Sequence, residues 1–448
     1  MSDGSTMRSA MSTIGRARPN VRTGVRTRSR RLRVLLVLTV CSASLGSILA
    51  TAASAFPTRY SSDGAFDFTY GSSVRAGGAG TTAKPESKLF HTGGAGERIR
   101  WWAVLGTSGS GADAGVWLWR LEDHEWDAKV RLPRADPWAK ADVLYEGRTL
   151  TISLRDDKSS SDGNPRESTL YTMRYRGRGR WTHVQGPTRI TTAAVETLTI
   201  ARDSLGRVWA TYEEGGKIWV GYTGRSGTAF TFRVLSRSGV ARDDVSSVTA
   251  FGGDRIGVFW SDQRAKRDMF AWRRDTDGVH AQWHYQTAYG GGVGGCPTGD
   301  SSLCADDHMN VKVYRDEIFV AIKTSLNDDS SSGSGDPLIV LLHRSGHGRW
   351  SSSTVSTVGQ DATRPIVVLS PSTSRIWVWA TRDGEVDVWQ SSFRSPSFSS
   401  GRFVAWVSEA AANNATSTKQ TTTAASGVVV EVSDAGVDEF WHNEFMRR

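Results

Sequence analysis

The sequence predicts an all-β chain folded as one seven-bladed β-propeller. Short runs rich in Val, Ile, Trp, Tyr and Thr alternate between apolar and polar residues, and Gly, Asp and Ser turns separate them. These runs group into units of four, and the units recur at the spacing of about 40 to 50 residues that is typical of propeller blades. The 18 tryptophans are spread between Trp101 and Trp441, which also indicates a repeat.

The third unit shows the four-strand pattern most clearly, and its first turn, at 203–206, has the composition of a hairpin. Its predicted strands begin at Leu198, Arg207, Lys217 and Phe230. Units one, two, four, five and six keep the same order, with first strands that begin at Lys88, Ala141, Ser247, Met309 and Pro365. A tag of alternating glycines recurs before two fourth strands, at Arg176–Trp181 and Ser345–Trp350.

The last unit decides how the ring closes. Its strands are predicted at Thr416–Thr421, Gly427–Val432 and Glu439–His442, so one strand is missing there. One strand is spare upstream of the first blade, at Phe66–Tyr70. Pairing this N-terminal strand as the outer strand of blade seven closes the ring and removes an exposed sheet edge.

The N-terminal 55 residues have the features of a cleaved signal peptide. Nine arginines and one acid, Asp3, precede an apolar run at 34–50 and the small residues 53–55, which predicts cleavage before Phe56. A membrane anchor is the alternative, but it needs about 20 apolar residues, and this run is shorter and is broken by Ser and Gly. Residues 56–448 are then expected to form a single propeller domain, secreted into the extracellular space.

The strongly basic character of the chain belongs to that leader. Of the 55 basic and 46 acidic residues, nine and one lie within it, which leaves 46 and 45 and reduces the net charge from +9 to +1. We therefore expect no nucleic-acid partner, no membrane contact after cleavage, and a monomer. Sec and twin-arginine export both remain open.

Two cysteines remain after cleavage, Cys296 and Cys304. Because an exported protein meets an oxidising compartment, one disulfide closing a small loop is the simplest expectation. A zinc pair is less favoured, since no second short-spaced pair accompanies these thiols.

Propeller topology directs the search for a site to one face. The loop that leads into each first strand and the loop between the second and third strands open on the same face, around the central channel, so their polar residues converge. The ligand-binding candidates chosen on this basis are Lys88, Asp142, Glu196, Asp306, Asn310, Lys323, Arg364, Asn414 and Lys419. The alternative is that such residues only hydrogen-bond neighbouring blades and channel water.

His308 is the sharpest catalytic candidate, because the flanking Asp306 and Asp307 can fix its tautomer for acid or base work near neutral pH. The alternative is a histidine bonded into the loop before blade five. Asp244 and Asp307 are the carboxylate candidates for glycosyl hydrolysis, with Glu196 beside them. Adjacent Asp-Asp-His residues also suggest a metal, but no other cluster of ligand spacing accompanies them, so no metal or cofactor is predicted.

These residues resemble a family of secreted bacterial propellers related in architecture to sialidase-type (BNR-like) proteins. The resemblance spans the mature chain and rests on short stretches. These are Lys84–Leu89 with Trp101 and Trp102, Asp203–Ala210, Ile256–Ser261, Asp306–Asn310, Lys323–Ser325, Thr363–Pro365 and Asn413–Gln420. It implies the fold and export, with no settled activity. Sialidases proper use an arginine triad, and Arg364 is the one plausible member here.

The sequence thus favours a secreted propeller that binds an extracellular glycan or another polar polymer at the channel mouth. As an enzyme it would be a glycoside hydrolase or a polysaccharide lyase. Lys88, Lys419 and Arg364 can neutralise a uronate, sulfate or phosphate group on such a ligand. The alternative is a non-catalytic binding or interaction propeller, and a structural surface protein is less favoured because it does not require so polar a mouth.

Overall fold

Seven four-stranded antiparallel sheets form the described part of the chain. The structure, a computed structural model, describes residues 65–69, 81, 84–94, 96–107, 114–137, 139–155, 167–224, 229–278, 281–297, 303–398, 403–406, 412–434 and 439–445. The signal peptide predicted at 1–55 lies outside these residues. The described residues contain no helix long and apolar enough to cross a membrane.

The strands follow one another blade by blade. The first along the chain is β1 (Ala65–Thr69). Blade 1 holds β2 (Leu89–Gly94), β3 (Glu97–Thr107), β4 (Gly115–Glu122) and β5 (Glu125–Arg131). Blade 2 holds β6 (Lys140–Glu146), β7 (Thr149–Arg155), β8 (Ser168–Tyr175) and β9 (Trp181–Thr191). Blade 3 holds β10 (Thr199–Arg202), β11 (Val208–Glu213), β12 (Ile218–Thr223) and β13 (Phe230–Val234).

The remaining blades have the same order. Blade 4 holds β14 (Ser246–Phe251), β15 (Arg255–Asp262), β16 (Arg267–Arg274) and β17 (His284–Gly290). Blade 5 holds β18 (Met309–Tyr314), β19 (Glu317–Lys323), β20 (Pro337–Arg344) and β21 (Trp350–Thr357). Blade 6 holds β22 (Thr363–Ser370), β23 (Arg375–Arg382), β24 (Glu385–Ser392) and β25 (Phe403–Trp406). Blade 7 holds β26 (Ala412–Thr416), β27 (Val428–Asp434) and β28 (Glu439–Phe445), with short 3-10 turns at 263–265, 326–328, 358–360 and 371–373 elsewhere.

The all-β class and the seven-bladed propeller are therefore confirmed. One strand was misplaced: the first strand of blade 7 is Ala412–Thr416 rather than Thr416–Thr421. The threonines after it are β-branched and resemble a strand in sequence. They instead run beside the first strand of blade 1, where Leu89 forms one parallel bridge with Thr418 and donates its N–H to the Ser417 carbonyl at 3.2 Å.

The apolar core lies between neighbouring blades. One cluster joins blades 1 and 2 through residues such as Trp102 and Tyr171, and another joins blades 6 and 7 through Trp379 and Val430. Because each sheet is covered on both faces, inner strands such as β11 are buried at every residue. Near-continuous apolar runs, rather than strict alternation, are the sequence mark of such strands.

The predicted disulfide between Cys296 and Cys304 is confirmed, with Cα atoms 6.1 Å apart. Both cysteines are buried in the cluster between blades 4 and 5. The bridge closes the loop ahead of β18, so it ties down the chain just before Asp306.

The central channel is filled by the chain itself, along Lys84–Lys88, which we call the channel segment. The backbone N–H of Ser87 donates to Asp142 Oδ1 of blade 2 at 2.9 Å, and Lys312 Nζ of blade 5 donates to Ser87 Oγ at 2.9 Å. Blade 7 contributes Thr416, whose Oγ1 accepts the Lys88 N–H at 3.2 Å. A segment that contacts blades so far apart in the ring must lie near its axis.

Buried charges of the channel segment are paired within the channel. Glu86 Oε1 accepts from Arg155 Nε at 2.6 Å and from the Leu198 N–H at 3.1 Å, and Lys88 Nζ donates to Glu86 Oε2 at 3.1 Å and to the Ala141 carbonyl at 2.9 Å. Although burial opposes it, the positive charges of Arg155 and Lys88 lower the pKa of Glu86. Glu86 is therefore ionised, and its carboxylate neutralises the buried charges of Lys88 and Arg155.

Replacing Glu86 with Gln tests this pairing. Because the change leaves the buried Lys88 and Arg155 charges without their anion, the free energy of unfolding should fall by about 3–5 kcal/mol. Glu97→Gln is the matched control, since Glu97 pairs with Arg148 at the surface and such pairs contribute about 1 kcal/mol or less. Urea unfolding followed by tryptophan fluorescence measures both, and equal losses in the two variants would contradict the role of Glu86.

Closure by the N-terminal strand stays a prediction, with a defined register. The backbone of β1 pairs antiparallel with β28, from Ala65 opposite His442 to Thr69 opposite Glu439. A chain beginning at Gly80 lacks this strand and exposes the edge of β28, so its melting temperature should fall by about 5 °C or more. A chain beginning at Ser62 keeps β1 and should melt like one beginning at Phe56, and no difference among the three chains would argue against closure.

Candidate functional site

Three loops that lead into first strands meet on one face of the propeller, which we call the mouth face. Lys84, ahead of blade 1, reaches Glu196, ahead of blade 3, and its Nζ lies 2.6 Å from Asp307 Oδ2, ahead of blade 5. Of the residues that were predicted to converge, the structure places Glu196, Asp306, Asp307 and His308 together here. These four residues and Lys84 form what we call the mouth cluster.

His308 is held between two carboxylates through one ring nitrogen. Its Nδ1 lies 2.6 Å from Asp306 Oδ1 and 2.5 Å from Asp307 Oδ1. Burial opposes protonation, but the hydrogen bonds and negative charges of Asp306 and Asp307 outweigh it and raise the pKa of His308. The other ring nitrogen, Nε2, makes no hydrogen bond within the described residues, so the imidazolium keeps one N–H for a ligand.

Asp306 is fixed from behind by blade 5. Lys323 Nζ donates to Asp306 Oδ2 at 2.7 Å, to the Thr324 carbonyl at 2.9 Å and to Asn327 Oδ1 at 3.1 Å, which uses all three of its protons. Ser325 Oγ also donates to Asp306 Oδ2, at 2.9 Å. Lys323 thus positions Asp306, which in turn orients the imidazole.

Lys84 neutralises the outer side of the cluster. Burial opposes its charge, but Asp307 and Glu196 raise the pKa of Lys84. Burial likewise opposes ionisation of Asp307, yet His308 and Lys84 hold its pKa well below the usual range. Lys84 and Asp307 are therefore charged at neutral pH, the imidazolium form of His308 is favoured beside them, and the alternation of these charges stabilises the arrangement.

Within the described residues, Asp306, Asp307 and His308 are the one group whose ligand atoms lie close enough to hold a metal ion, within 4.8 Å of one another. Carboxylate oxygens and an imidazole nitrogen suit a divalent transition metal. The ammonium groups of Lys84 and Lys323 already contact the two carboxylates. A metal ion would have to displace or repel both of them, so the donor set fits protons better than a metal.

Five of the predicted ligand-binding residues lie in the channel or on first strands, largely buried: Lys88, Asp142, Asn310, Asn414 and Lys419. Their polar atoms bond the fold. Lys419 contacts Asp142 and donates to the Ile200 carbonyl at 2.7 Å, and Asn310 Oδ1 accepts the Val367 N–H at 3.3 Å. These contacts fit the alternative in which the residues hold blades together.

Asp244, predicted as a catalytic carboxylate, makes no contact with the mouth cluster and is 1% exposed. It accepts hydrogen bonds from Ser261 Oγ at 2.8 Å and from the N–H groups of Ala241 at 2.6 Å and Gln263 at 3.2 Å. Burial raises the pKa of Asp244 to about 6. Hydrogen bonds from these three residues, of which Ser261 lies near the end of β15, indicate that Asp244 organises the loop ahead of blade 4.

A buried acid that sequence reasoning missed lies behind the cluster. Asp268, on the third strand of blade 4, is 1% exposed, and its Oδ2 has no hydrogen-bond partner among the described residues. Burial, together with the negative charges of Asp244, Asp306 and Asp262, raises its pKa well above the usual range. Burial thus favours the protonated form of Asp268. The sequence offered little signal for it, since the same strand also carries Arg267, Arg273 and Arg274.

Arg364 is the predicted residue with the freest cation. It lies in the loop that leads into blade 6, next to blade 5, with a backbone φ of 55°. A positive φ is costly for a residue that carries a Cβ and marks a position where function can outweigh strain. Its half-buried guanidinium has no hydrogen bond or ion pair within the described residues, so it can receive an anionic group.

The far end of the channel holds a separate cavity of about 130 Å³. Phe90, Tyr145, Glu146, Lys419 and Gln420 line it, and none of these belongs to the mouth cluster.

Known proteins resemble this chain in fold but not in sequence. No family model and no curated protein matches it. The polysaccharide lyase Uly1 is 10% identical over 85% of this chain and 92% of its own, with a TM-score of 0.43. An ulvan lyase solved bound to a GlcA(1-4)Rha3S saccharide is 12% identical over 82% and 96%, at 0.47. The periplasmic gluconolactonase PpgL of Pseudomonas aeruginosa is 13% identical over 79% and 91%, at 0.48. The sialidase-type resemblance is not confirmed by these comparisons.

Lys312 offers a test of the channel electrostatics. Its Nζ donates to Ser87 Oγ, and burial, with Lys419 nearby, lowers its pKa to about 7. Between pH 10 and pH 7, Lys312 binds a proton in the unfolded chain but not in the folded one. The free energy of unfolding therefore falls as the pH is lowered through this window, and below pH 7 it falls no further on account of Lys312.

Lys312→Met should therefore be more stable than the wild type at pH 6, by about 5 kcal/mol, and the gap should shrink toward pH 10. The exposed Lys217→Met is the control and should show no such gap. Urea unfolding at pH 6, 7, 8, 9 and 10 measures the difference in the free energy of unfolding between each variant and the wild type. A gap that does not change with pH would overturn the assignment of a neutral Lys312.

Proposed function

We propose that this protein is a secreted propeller that binds an extracellular glycan at the mouth face and cleaves it with His308 as general acid. One observation carries the proposal: two carboxylates on Nδ1 favour the imidazolium, while Nε2–H has no partner within the described residues. Export rests on the sequence of residues 1–55, and the disulfide between Cys296 and Cys304 fits an oxidising compartment.

Cleavage of a glycosidic bond needs a proton on the leaving oxygen. His308 Nε2 would donate it, and Asp306 and Asp307 stabilise the charged ring before the transfer. Glu196 supports the second half of the reaction, since its side chain is 35% exposed and contacts only Lys84. Its carboxylate could accept a proton from water, in hydrolysis, or from a sugar carbon, in elimination.

Charge at the mouth face favours an acidic sugar over a neutral one. Arg364 presents a guanidinium with no partner in the described part of the chain, and a guanidinium pairs with a uronate or sulfate through two parallel hydrogen bonds. Lys84 adds a second cation, although Asp307 and Glu196 already hold it. Arg364 is therefore the residue that we expect to select the anionic group.

A second candidate is a propeller that binds a glycan without cleaving it. The ammonium of Lys84 lies between Glu196 and Asp307, which gives both carboxylates a partner and makes the cluster a neutralised, rigid surface. Such a preformed polar surface suits recognition, because little ordering is needed when the ligand binds. A measurement of product release distinguishes this binding function from catalysis.

The experiment is a panel of acidic and neutral polysaccharides incubated with the secreted protein, His308→Gln and His347→Gln. Wild type should release reducing ends, or unsaturated uronate detected by absorbance, from an acidic polymer, and His308→Gln should lose this activity by at least about 100-fold. His347→Gln is the matched control, because that exposed histidine lies in a turn on the opposite face.

The pH dependence gives a further check on His308. A general acid works only while protonated, and its pKa is raised, so activity should persist at neutral pH and decline on the alkaline side. If the wild type binds an acidic glycan and releases nothing, the enzyme is excluded and the binding propeller stands. If it binds no glycan at all, both functions fail.

A further inference from the structure

The face opposite the mouth carries a dense group of arginines on blades 1 and 2. The turns that join first to second strands and third to fourth strands open on this face. Eight arginines lie at or next to these turns: Arg98, Arg100, Arg120, Arg148, Arg174, Arg176, Arg178 and Arg180. We call this group the arginine patch.

Contacts between the two blades show that the patch is continuous. Arg148 of blade 2 pairs with Glu97 of blade 1. A Cβ added at Gly177 would lie 3.7 Å from Arg148 Nη1, and one added at Gly179 would lie 2.7 Å from Arg120 Nη1. The turn at 176–180 therefore lies directly against blade 1.

Few of these charges are neutralised. Arg148 pairs with Glu97 and Arg120 pairs with Glu122. The other six make no ion pair within the described residues: Arg98, Arg100, Arg174, Arg176, Arg178 and Arg180. Five of these six are exposed, and Arg100 is half-buried. Asp123, Glu125 and Glu146 at the same turns offset part of this charge, but the exposed arginines still repel one another, and this calls for a reason outside their own contacts.

The fold does not supply that reason, as a second turn in the same chain shows. The turn at 176–180 is closed by the Arg176 N–H donating to the Arg180 carbonyl at 2.8 Å, and the turn at 345–349 by the equivalent bond from Ser345 to Arg349 at 2.9 Å. Both turns lead into a tryptophan that packs in the core, Trp181 or Trp350.

Two arginines are replaced in that second turn. Ser345 stands where blade 2 has Arg176, and His347 stands where it has Arg178. The same closed turn thus forms without either guanidinium. Arg176 uses only its Nε, which donates to Thr182 Oγ1 at 3.1 Å, so the guanidinium groups of Arg176 and Arg178 can serve a ligand, and both residues can be exchanged for residues that the turn already accepts elsewhere.

We propose that the arginine patch is a second binding site, for a polysaccharide that carries sulfate or carboxylate groups. Guanidinium groups pair with such oxyanions through paired N–H donors, and several in a row suit a chain with a charge on every few sugars. The aromatic rings beside the patch cannot stack on nucleic-acid bases, because Tyr175 and Trp181 pack against each other and against the core, with ring centroids 4.9 Å apart. A membrane is also disfavoured, because Val184 is the one large apolar residue near the patch that is strongly exposed.

This site is independent of the mouth cluster, which lies on the other face. A polymer can bind the patch whether or not His308 cleaves anything, and His308→Gln should leave patch binding unchanged. Failure of one proposal therefore does not produce failure of the other.

The experiment measures binding of dextran sulfate, with uncharged dextran as the neutral probe, to the secreted protein and two double variants. Arg176→Ser with Arg178→His carries the residues of the second turn. Arg349→Ser with Arg394→His removes the same charge from exposed positions on blades 5 and 6. Thermal unfolding first verifies that all three proteins are equally folded.

Wild type should bind dextran sulfate, and binding should weaken steeply with salt as the screening length falls from about 8 Å at 0.15 M to about 3 Å at 1 M. The patch variant should bind about tenfold more weakly, while the blade 5 and 6 variant should stay within about twofold of wild type. Equal losses in the two variants would overturn the proposal. Equal binding of uncharged dextran, or tighter binding of duplex DNA or phosphatidylglycerol vesicles, would also overturn it.

Discussion

The channel segment, with Glu86 buried between Lys88 and Arg155, is the constraint on which the rest of the molecule depends. In a propeller each blade packs mainly on its two neighbours, so contacts between distant blades must be made near the axis. Ser87 and Glu86 supply that contact from the axis, by bonding blades 2, 3 and 5. The same segment delivers Lys84 to the mouth face at its upstream end, and so couples the ring's stability to the geometry of the mouth cluster.

Charge balance in the channel explains why its side chains differ in protonation. The cations Lys88, Arg155, Lys312 and Lys419 face the anions Glu86 and Asp142, and every one of the six is paired or bonded. Glu86 and Asp142 serve Lys88, Arg155 and Lys419, which leaves Lys312 with a hydroxyl alone. Burial without an anion is what lowers the pKa of Lys312 to about 7.

The strands could be predicted from the sequence because each strand has a local signal. The site could be predicted only in part, because its geometry depends on residues that are far apart in the sequence. Alternation and turn residues located nearly every strand, and topology brought Glu196 and His308 to one face. Sequence could not tell that Lys84, rather than Lys88, reaches that face, because both lie in one short segment and only the fold sets their partners, Glu196 and Asp307 for Lys84 and Glu86 for Lys88. Asp268 and Lys312 were missed because the search for site residues followed the loops at one face, whereas both residues lie within strands.

The arginine patch and the mouth cluster lie on opposite faces, so a polymer that binds both must be long enough to reach from one face to the other. A strand of eight residues, such as β16, spans about 26 Å at about 3.3 Å per residue, so a chain must pass around the rim of the ring to contact the arginine patch and the mouth cluster at once. A glycan of only a few sugars cannot do this, whereas a long one can. Tethering at the patch would then raise the local concentration of the same chain at the mouth without any new contact there. On this argument the two sites together favour long acidic polymers over short fragments, a selectivity that neither site has alone.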